Sequence, residues 1–259
     1  MDDGLRTRLW NAIFTIWLRD PESEFWAFVE PLCSNFLKLP LNKIRNLSRG
    51  QVTSKIHDWF GEVRWFDVYN MIEFIASEPY FHRPTQRHFI YACDVVLKEE
   101  LSAYRFVDDR LAELTSETEI ATVEEVIQGG IADQRLAGVA QHLQKAVQAF
   151  GKRPRGDYVN AIKESILAVE AAARVALADP SATLGAALKE LDKRGVKLHP
   201  SLRLGFDKIY GYTSDAAGIR HALTEEPIDD SYDEAKFMLP ACAAFSSYLI
   251  EKAKKAGLL

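Results

Sequence analysis

Apolar residues recur at intervals of three and four along most of this chain, and that spacing constrains the fold more than any other feature. The longest example follows Asp157, and its apolar positions are Tyr158, Ile162, Ile166, Val169, Ala173 and Leu177. Such spacing places apolar side chains on one face of an α-helix. A second stripe precedes it across the short basic loop 151–156, at Leu136, Val139, Leu143, Val147 and Phe150. Two long helices joined by a short loop predict an antiparallel helical hairpin.

The first hundred residues repeat the helical pattern in shorter segments. Leu5, Leu9, Ile13 and Ile16 fall on one face of the first predicted helix. Breaks between the predicted helices are marked by proline and glycine, at Pro21, Pro40, Gly61 and Pro84. We therefore expect several short helices packed into one domain.

A short change of pattern follows these helices and predicts the one β-hairpin of the chain. Residues 104–107 and 110–114 are short segments of strand character, and Asp108 and Asp109 lie between them. A two-residue connection is typical of a tight hairpin turn. Two strands alone are marginally stable, so we expect them to lie against helices.

A capping box and a glycine pair suggest where the chain divides. Thr122 and Glu125 have the spacing of a capping box that opens a short helix, and Gly129 and Gly130 are expected to close it. The boundary predicted at the glycines gives an N-terminal helical domain with a small hairpin, residues 1–130, and a C-terminal helical bundle, residues 131–259. The expected fold class is mainly α.

Composition and charge narrow the function classes. A hydrophobic fraction of 47% with 27% charged residues is typical of a globular protein with a full core. No apolar run approaches the roughly 20 residues that span a bilayer, the start of the chain is acidic, and the three cysteines are widely spaced. We therefore expect a cytoplasmic protein with buried thiols and no membrane partner.

The two halves differ in charge. Residues 131–259 carry 18 Lys and Arg against 16 Asp and Glu, which leaves 14 against 21 in residues 1–130. If nucleic acid binds, the C-terminal half is the better holder of phosphate groups. The sequence has no CxxC, HxH or HExxH pattern, no Walker lysine loop and no dinucleotide fingerprint. We expect no metal and no cofactor.

The candidate chemistry lies in residues 211–223 and on the long helix after Asp157. Arg220 and His221 are adjacent, and Tyr212 precedes them. Cleavage of RNA without metal needs a base, an acid and a cation for the phosphate. Histidine titrates near neutral pH, and the arginine fork matches two phosphate oxygens.

On the long helix, Lys163, Glu170 and Arg174 share one face, with Glu164 beside them. Glu170 and Arg174 are four residues apart and are able to pair. The candidate catalytic residues are Arg220, His221 and Glu170. The candidates for binding RNA or its phosphates are Lys163, Arg174 and Tyr212.

A structural interpretation of the same residues stays open. In it, Ser214 or Asp215 caps a short helix, Arg220 pairs with Glu170 or Glu164, and His221 ties a loop to the core. Neighbouring helical side chains point about 100° apart, so Arg220 and His221 converge on one phosphate only at a frayed helix end or with a second subunit.

Four C-terminal stretches resemble the C-terminal domain of AbiJ-like abortive-infection proteins, a domain that resembles the HEPN superfamily. They are residues 157–170, 183–188, 211–223 and 235–239. The first half, from Leu5–Trp10 through the hairpin to Val126, resembles an AbiJ-type N-terminal domain. The resemblance covers nearly the whole chain.

This resemblance implies a phage-defence or toxin-like protein with a HEPN-like helical bundle. HEPN proteins commonly dimerise and often act as metal-independent ribonucleases, with an arginine and a histidine four to six residues apart. Here Arg220 and His221 are adjacent. The implied function is cleavage or binding of RNA by a homodimer, with a protein or phage-derived trigger. The alternative is a non-catalytic module for dimerisation or partner binding in a defence or toxin–antitoxin system.

Overall fold

The protein divides into two compact units, Met1–Glu113 and Leu114–Leu259. The computed structural model describes residues 1–19, 21–214 and 231–259, without the side chains of residues 212–214. Within these residues the protein is mainly α-helical with one small antiparallel hairpin, which confirms the predicted fold class.

The described residues of unit 1 form six α-helices followed by the hairpin. They are α1 (Asp3–Ile13), α2 (Glu22–Pro31), α3 (Leu41–Arg45), α4 (Arg49–Glu62), α5 (Trp65–Ser77), α6 (Arg83–Glu99), β1 (Arg105–Val107) and β2 (Arg110–Ala112). Helices α1 and α2 each continue as one π-helical turn, over Phe14–Leu18 and Leu32–Phe36. Asp2 and Ser48 cap α1 and α4 with their side chains.

The core of unit 1 is rich in aromatic rings. Trp17, Phe28 and Phe81 form one cluster, with ring centroids 4.9–5.2 Å apart. Farther along the chain, Phe60 is buried and Trp59 packs edge-on against a neighbouring ring. These aromatic side chains are used in packing, which is the normal consequence of their large apolar area.

The hairpin forms where the sequence predicts it, with Asp108 and Asp109 as the turn and Phe106 opposite Leu111. Asp108 has φ of 57°, a left-handed conformation that aspartate tolerates. The non-hydrogen-bonded pair directs its amides outward. Asp94 Oδ1 of α6 accepts the Phe106 N–H at 2.9 Å, and Glu73 Oε2 of α5 accepts the Leu111 N–H at 2.8 Å. Both edges of the hairpin are thereby tied to helices, which keeps exposed strand edges from pairing elsewhere.

Unit 2 is a helical bundle built around one central helix. Its helices are α7 (Glu117–Ala132), α8 (Ala137–Phe150), α9 (Tyr158–Leu177), α10 (Leu184–Lys193), α11 (Pro200–Ser214) and α12 (Tyr232–Lys255). Helix α9 packs against α8, α10 and α12. Asp157 caps α9 and Thr183 caps α10 with their side chains.

Helix α7 differs from its prediction at both ends. It begins after Ser116, whose hydroxyl accepts the Glu119 N–H, and acidic residues in its first turn favour that start. Thr122 lies inside the helix and donates to the Thr118 carbonyl. The helix continues through Gly129 and Gly130 to Ala132, so the glycine pair does not end it. The reason is packing: an added Cβ at Gly130 would lie 2.5 Å from Ala140 Cβ of α8.

The glycine pair provides a matched test of this packing. We expect Gly130→Ala to lower the free energy of unfolding by about 1–3 kcal/mol because the methyl group overpacks the α7–α8 contact. Gly129→Ala meets no atom within 4 Å and should raise the stability by about 0.5–1 kcal/mol through helix propensity. Urea denaturation of both variants measures the difference, and equal effects would contradict the close approach.

The hairpin anchor predicts a pH dependence. Burial raises the pKa of Asp94, while its hydrogen bond from Phe106 and the charges of Arg105 and Lys98 lower it, with burial the larger effect. An acid whose pKa is raised on folding favours the folded state at low pH and costs stability as pH rises through the folded pKa. Asp94→Asn keeps an acceptor for Phe106 N–H without the charge.

We therefore expect the difference in unfolding free energy between Asp94→Asn and the unchanged protein to move in favour of the variant as pH rises from 3 to 7. Asp94→Ala, which also removes the acceptor, should be about 1–3 kcal/mol less stable than Asp94→Asn at every pH. Thermal unfolding across that pH range provides the measurement. If Asp94→Asn instead gains stability relative to the unchanged protein as pH falls, the charged carboxylate is the form that the folded state favours.

Candidate functional site

The surface formed by α8 and α9 brings a histidine and a carboxylate together. His142 Nδ1 lies 2.7 Å from Glu164 Oε2, and about a quarter of each side chain is exposed. A carboxylate can only accept, so it orients the imidazole with Nδ1–H as donor and leaves Nε2 as the second functional nitrogen. This arrangement has the elements of an acid–base pair, and it is equally a common way to satisfy a surface histidine.

Toward the end of α9, Glu170 is buried and pairs with an arginine of the same helix. Arg174 Nη2 lies 3.1 Å from Glu170 Oε2, and Arg174 Nε donates to the Ala182 carbonyl at 2.9 Å. The pairing that their spacing predicts is present. Glu170 is 6% exposed, so its carboxylate holds the guanidinium of Arg174 in place and has little surface for contact with a substrate.

A shallow groove of about 620 Å³ adjoins Arg174. Its wall consists of apolar residues from α9 and the segments near it, with two guanidinium groups and one carboxylate. The lining residues are Arg135, Ala171, Arg174, Val175, Ala178, Asp179, Pro180, Leu258 and Leu259. Arg135 pairs with Asp133 at 2.7 Å. Each arginine has a carboxylate partner, which reduces the positive charge that these described residues present to a phosphate.

The opposite end of the bundle combines basic residues with aromatic rings. Phe150, Tyr158 and Tyr232 form a cluster with centroids 5.5–5.7 Å apart. Lys236 Nζ lies 5.5 Å from the centre of the Tyr232 ring. The contact between Tyr158 and Tyr232 puts the first turns of α9 and α12 side by side, so these helices run in the same direction. The basic loop 151–156 enters α9 at this end.

The predicted site residues fall into two groups. Arg220 and His221 lie outside the described residues, as does the side chain of Tyr212. Lys163, Glu170 and Arg174 are on α9, and the structure brings Glu170 and Arg174 into contact. Of the two acids suggested as partners for Arg220, Glu164 contacts His142 and Glu170 contacts Arg174.

Sequence reasoning did not single out His142 as a partner of Glu164. The signal was present in the predicted hairpin of α8 and α9, because residues at similar distances before and after its loop face one another. Phe150 and Tyr158 meet next to the loop, and His142 and Glu164 meet farther away. Adding that register to the helical faces would have identified the pair.

The cysteines do not contribute a nucleophile to either unit. Cys33, Cys93 and Cys242 are buried free thiols. Burial raises the pKa of Cys33 to about 11 and that of Cys242 to about 12. Since the thiolate is the reactive form, these side chains are unreactive near neutral pH.

Two further observations concern the described residues as a whole. No helix among them is long and apolar enough to cross a membrane. Across residues 1–19, 21–214 and 231–259, no group of three His, Cys, Asp or Glu side chains has the arrangement of a metal site.

Residues 1–128 match the model of the family described as AbiJ N-terminal domain 4. The match supports an AbiJ-like protein. The AbiJ-type segment includes unit 1 and most of α7, although α7 packs with α8 and α12 in unit 2. Neither a curated protein nor a solved structure matches the chain.

The two acids of α9 provide a test of which contacts stabilise unit 2. We expect Glu170→Ala to lower the unfolding free energy by about 1–3 kcal/mol because the buried end of Arg174 loses its charged partner. Glu164→Ala removes a more exposed pair and should cost at most about 1 kcal/mol. Chemical denaturation of the two variants measures both values. A larger loss for Glu164→Ala would contradict the structural role of Glu170.

Proposed function

We propose that this protein acts in phage defence by cleaving or binding RNA through its C-terminal bundle, without a metal ion. The AbiJ match suggests an abortive-infection family, and that match is the observation that carries the defence role. The action on RNA is the finer part of the proposal. It rests on the resemblance of the C-terminal stretches to HEPN-like domains and on the basic and aromatic end of the bundle.

In this proposal His221 moves the proton and Arg220 stabilises the phosphate charge. A base takes the proton of the ribose 2′-hydroxyl, the 2′-oxygen attacks phosphorus, and the bond to the 5′-oxygen breaks as that oxygen receives a proton. The products are a 2′,3′-cyclic phosphate and a 5′-hydroxyl end. Histidine suits the proton transfers near neutral pH, and arginine suits the phosphorane charge.

The remaining proposed residues position the RNA. Glu170 belongs to the candidate catalytic set, and its contact with Arg174 supports a role in fixing that guanidinium. Lys163 and Arg174 offer cations along α9, and Tyr212 offers a ring for stacking on a base. A homodimer is part of the proposal because two copies allow Arg220 and His221 to converge on one phosphate.

A matched pair of histidine variants tests this assignment. We expect His221→Ala to abolish RNA cleavage and growth arrest without loss of folding, because no other group then transfers the proton. His142→Ala should cleave RNA normally and lose at most about 1 kcal/mol of stability. Purified protein is incubated with total RNA in the presence of a chelator, and the cleaved ends are analysed for 2′,3′-cyclic phosphate.

Cleavage by His221→Ala at the unchanged rate would remove the proposed role of His221. Loss of cleavage in His142→Ala alone would transfer the acid–base role to the pair of His142 and Glu164. Circular dichroism of both variants controls for folding, and light scattering determines whether the protein is a dimer.

The second candidate function is a non-enzymatic module for dimerisation or partner binding. The observation that favours it is the mutual pairing of the charged residues on α9 and beside it, where Arg174 contacts Glu170 and Arg135 contacts Asp133. Absence of cleavage in the chelator assay, together with a stable dimer, would support this function over the ribonuclease.

A further inference from the structure

A cavity of about 400 Å³ lies in unit 1. It is bounded by the π-helical turn after α1, by α2 and by the segment that leads into α6. The lining residues are Trp17, Glu24, Ala27, Phe28, Tyr80, Phe81, His82 and Thr85. This volume falls in the range of small-molecule sites, and π-helical turns often occur at functional sites.

The buried wall of the cavity is aromatic and rigid. Trp17 stacks on Phe28 at 4.9 Å with an angle of 18°, and Phe81 lies 5.2 Å from each of them. All three rings are at least nine-tenths buried. Tyr80, in contrast, is 78% exposed at the rim. An exposed tyrosine beside an apolar wall offers a stacking surface for a planar ligand.

Polar groups at this cavity specify the ligand further. Trp17 Nε1 is buried and has no acceptor among the residues that the structure describes. His82 Nδ1 and Thr85 Oγ1 are 3.0 Å apart at the rim. Glu24 is exposed and supplies a carboxylate acceptor. The lining residues therefore include a buried indole N–H that lacks a partner and an exposed carboxylate that can accept from an amino group.

The charge of the lining disfavours anions. The described lining contains Glu24 and no lysine or arginine, so a phosphate group has no positive partner. The faces of Trp17 and Phe28 cover each other, so the aromatic face that is open to a ligand is the Tyr80 ring at the rim. A neutral planar ring with one acceptor and one amino group fits the remaining chemistry.

We propose that unit 1 binds an amino-substituted nucleobase, adenine, cytosine or guanine, with its phosphate outside the cavity or absent. The base stacks under Tyr80, its amino group donates to Glu24, and a ring nitrogen or carbonyl accepts from Trp17 Nε1 as the exposed rim side chains adjust. The site gives the AbiJ-type half a ligand of its own, and it stands or falls independently of RNA cleavage by unit 2.

The test is calorimetric titration of the full chain with nucleosides. Adenosine, cytidine and guanosine should bind saturably, while uridine and inosine, which lack the amino group, should bind about tenfold more weakly. Tyr80→Ala should weaken adenosine binding by about tenfold or more through lost stacking. Tyr91→Ala is the matched control, since Tyr91 is 71% exposed on α6 and does not line the cavity.

Glu24→Ala tests the amino contact, because it should remove the preference for adenosine over inosine without a change in the urea unfolding midpoint. Adenosine 5′-monophosphate and a short single-stranded oligonucleotide distinguish a free nucleoside from a base within a nucleotide or strand. Equal or weaker binding of both supports a site for the base itself.

Several results would overturn the proposal. These are no saturable binding of any nucleoside at millimolar concentration, unchanged adenosine binding in Tyr80→Ala, or binding of tetramethylammonium in place of adenosine. Binding that requires the phosphate would do so as well. Because RNA cleavage is measured separately with His221→Ala, failure of this site leaves the proposed function untouched.

Discussion

Helix α9 is buried around most of its circumference, and the architecture of unit 2 depends on that burial. Small residues make it possible: Ala161, Ala168, Ala172, Ala173 and Ala176 are all buried, as are larger side chains such as Ile162 and Val169. Alanine allows neighbouring helices to approach closely at little cost in side-chain entropy. With α8, α10 and α12 packed around it, α9 fixes the positions of the charged residues that it carries, Lys163, Glu164, Glu170 and Arg174.

Burial of the central helix also explains why its charged residues pair with one another. Glu170 lies among buried residues, and a carboxylate there requires a compensating cation. Arg174 provides it from the next turn of the same helix. Arg174, which the helical spacing suggested as a cation for a substrate, therefore also stabilises the buried Glu170 carboxylate. Because Glu170 Oε2 already contacts Arg174, fewer carboxylate oxygens of Glu170 are available to a ligand.

Unit 1 is stabilised differently, by an aromatic core and by carboxylates that bind backbone amides. Its aromatic core fills the space between short helices, and the small hairpin is held by carboxylates from α5 and α6 that accept outward-facing amides. The π-helical turn that carries Trp17 places this residue in the wall of an aromatic cavity, and its buried indole N–H has no acceptor among the described residues. The two halves thus offer different recognition chemistry: an acidic half with an apolar, aromatic cavity, and a bundle with basic and aromatic groups at one end.

The sequence by itself determined the mainly helical class, the long helix that follows Asp157, the place of the hairpin and the contact of Glu170 with Arg174. Each depends on residues close together in the chain, where helical spacing, capping and turn chemistry act locally. The predicted C-terminal end of α7 was wrong because Gly130 lies inside the helix, where it permits close packing on α8. A local sequence pattern does not distinguish a glycine used for packing from one that ends a helix. Only the tertiary structure decided the burial of Glu170 and the cavity beside Trp17. Both features depend on how helices that are distant in the sequence pack against one another, and a local sequence pattern does not specify that packing.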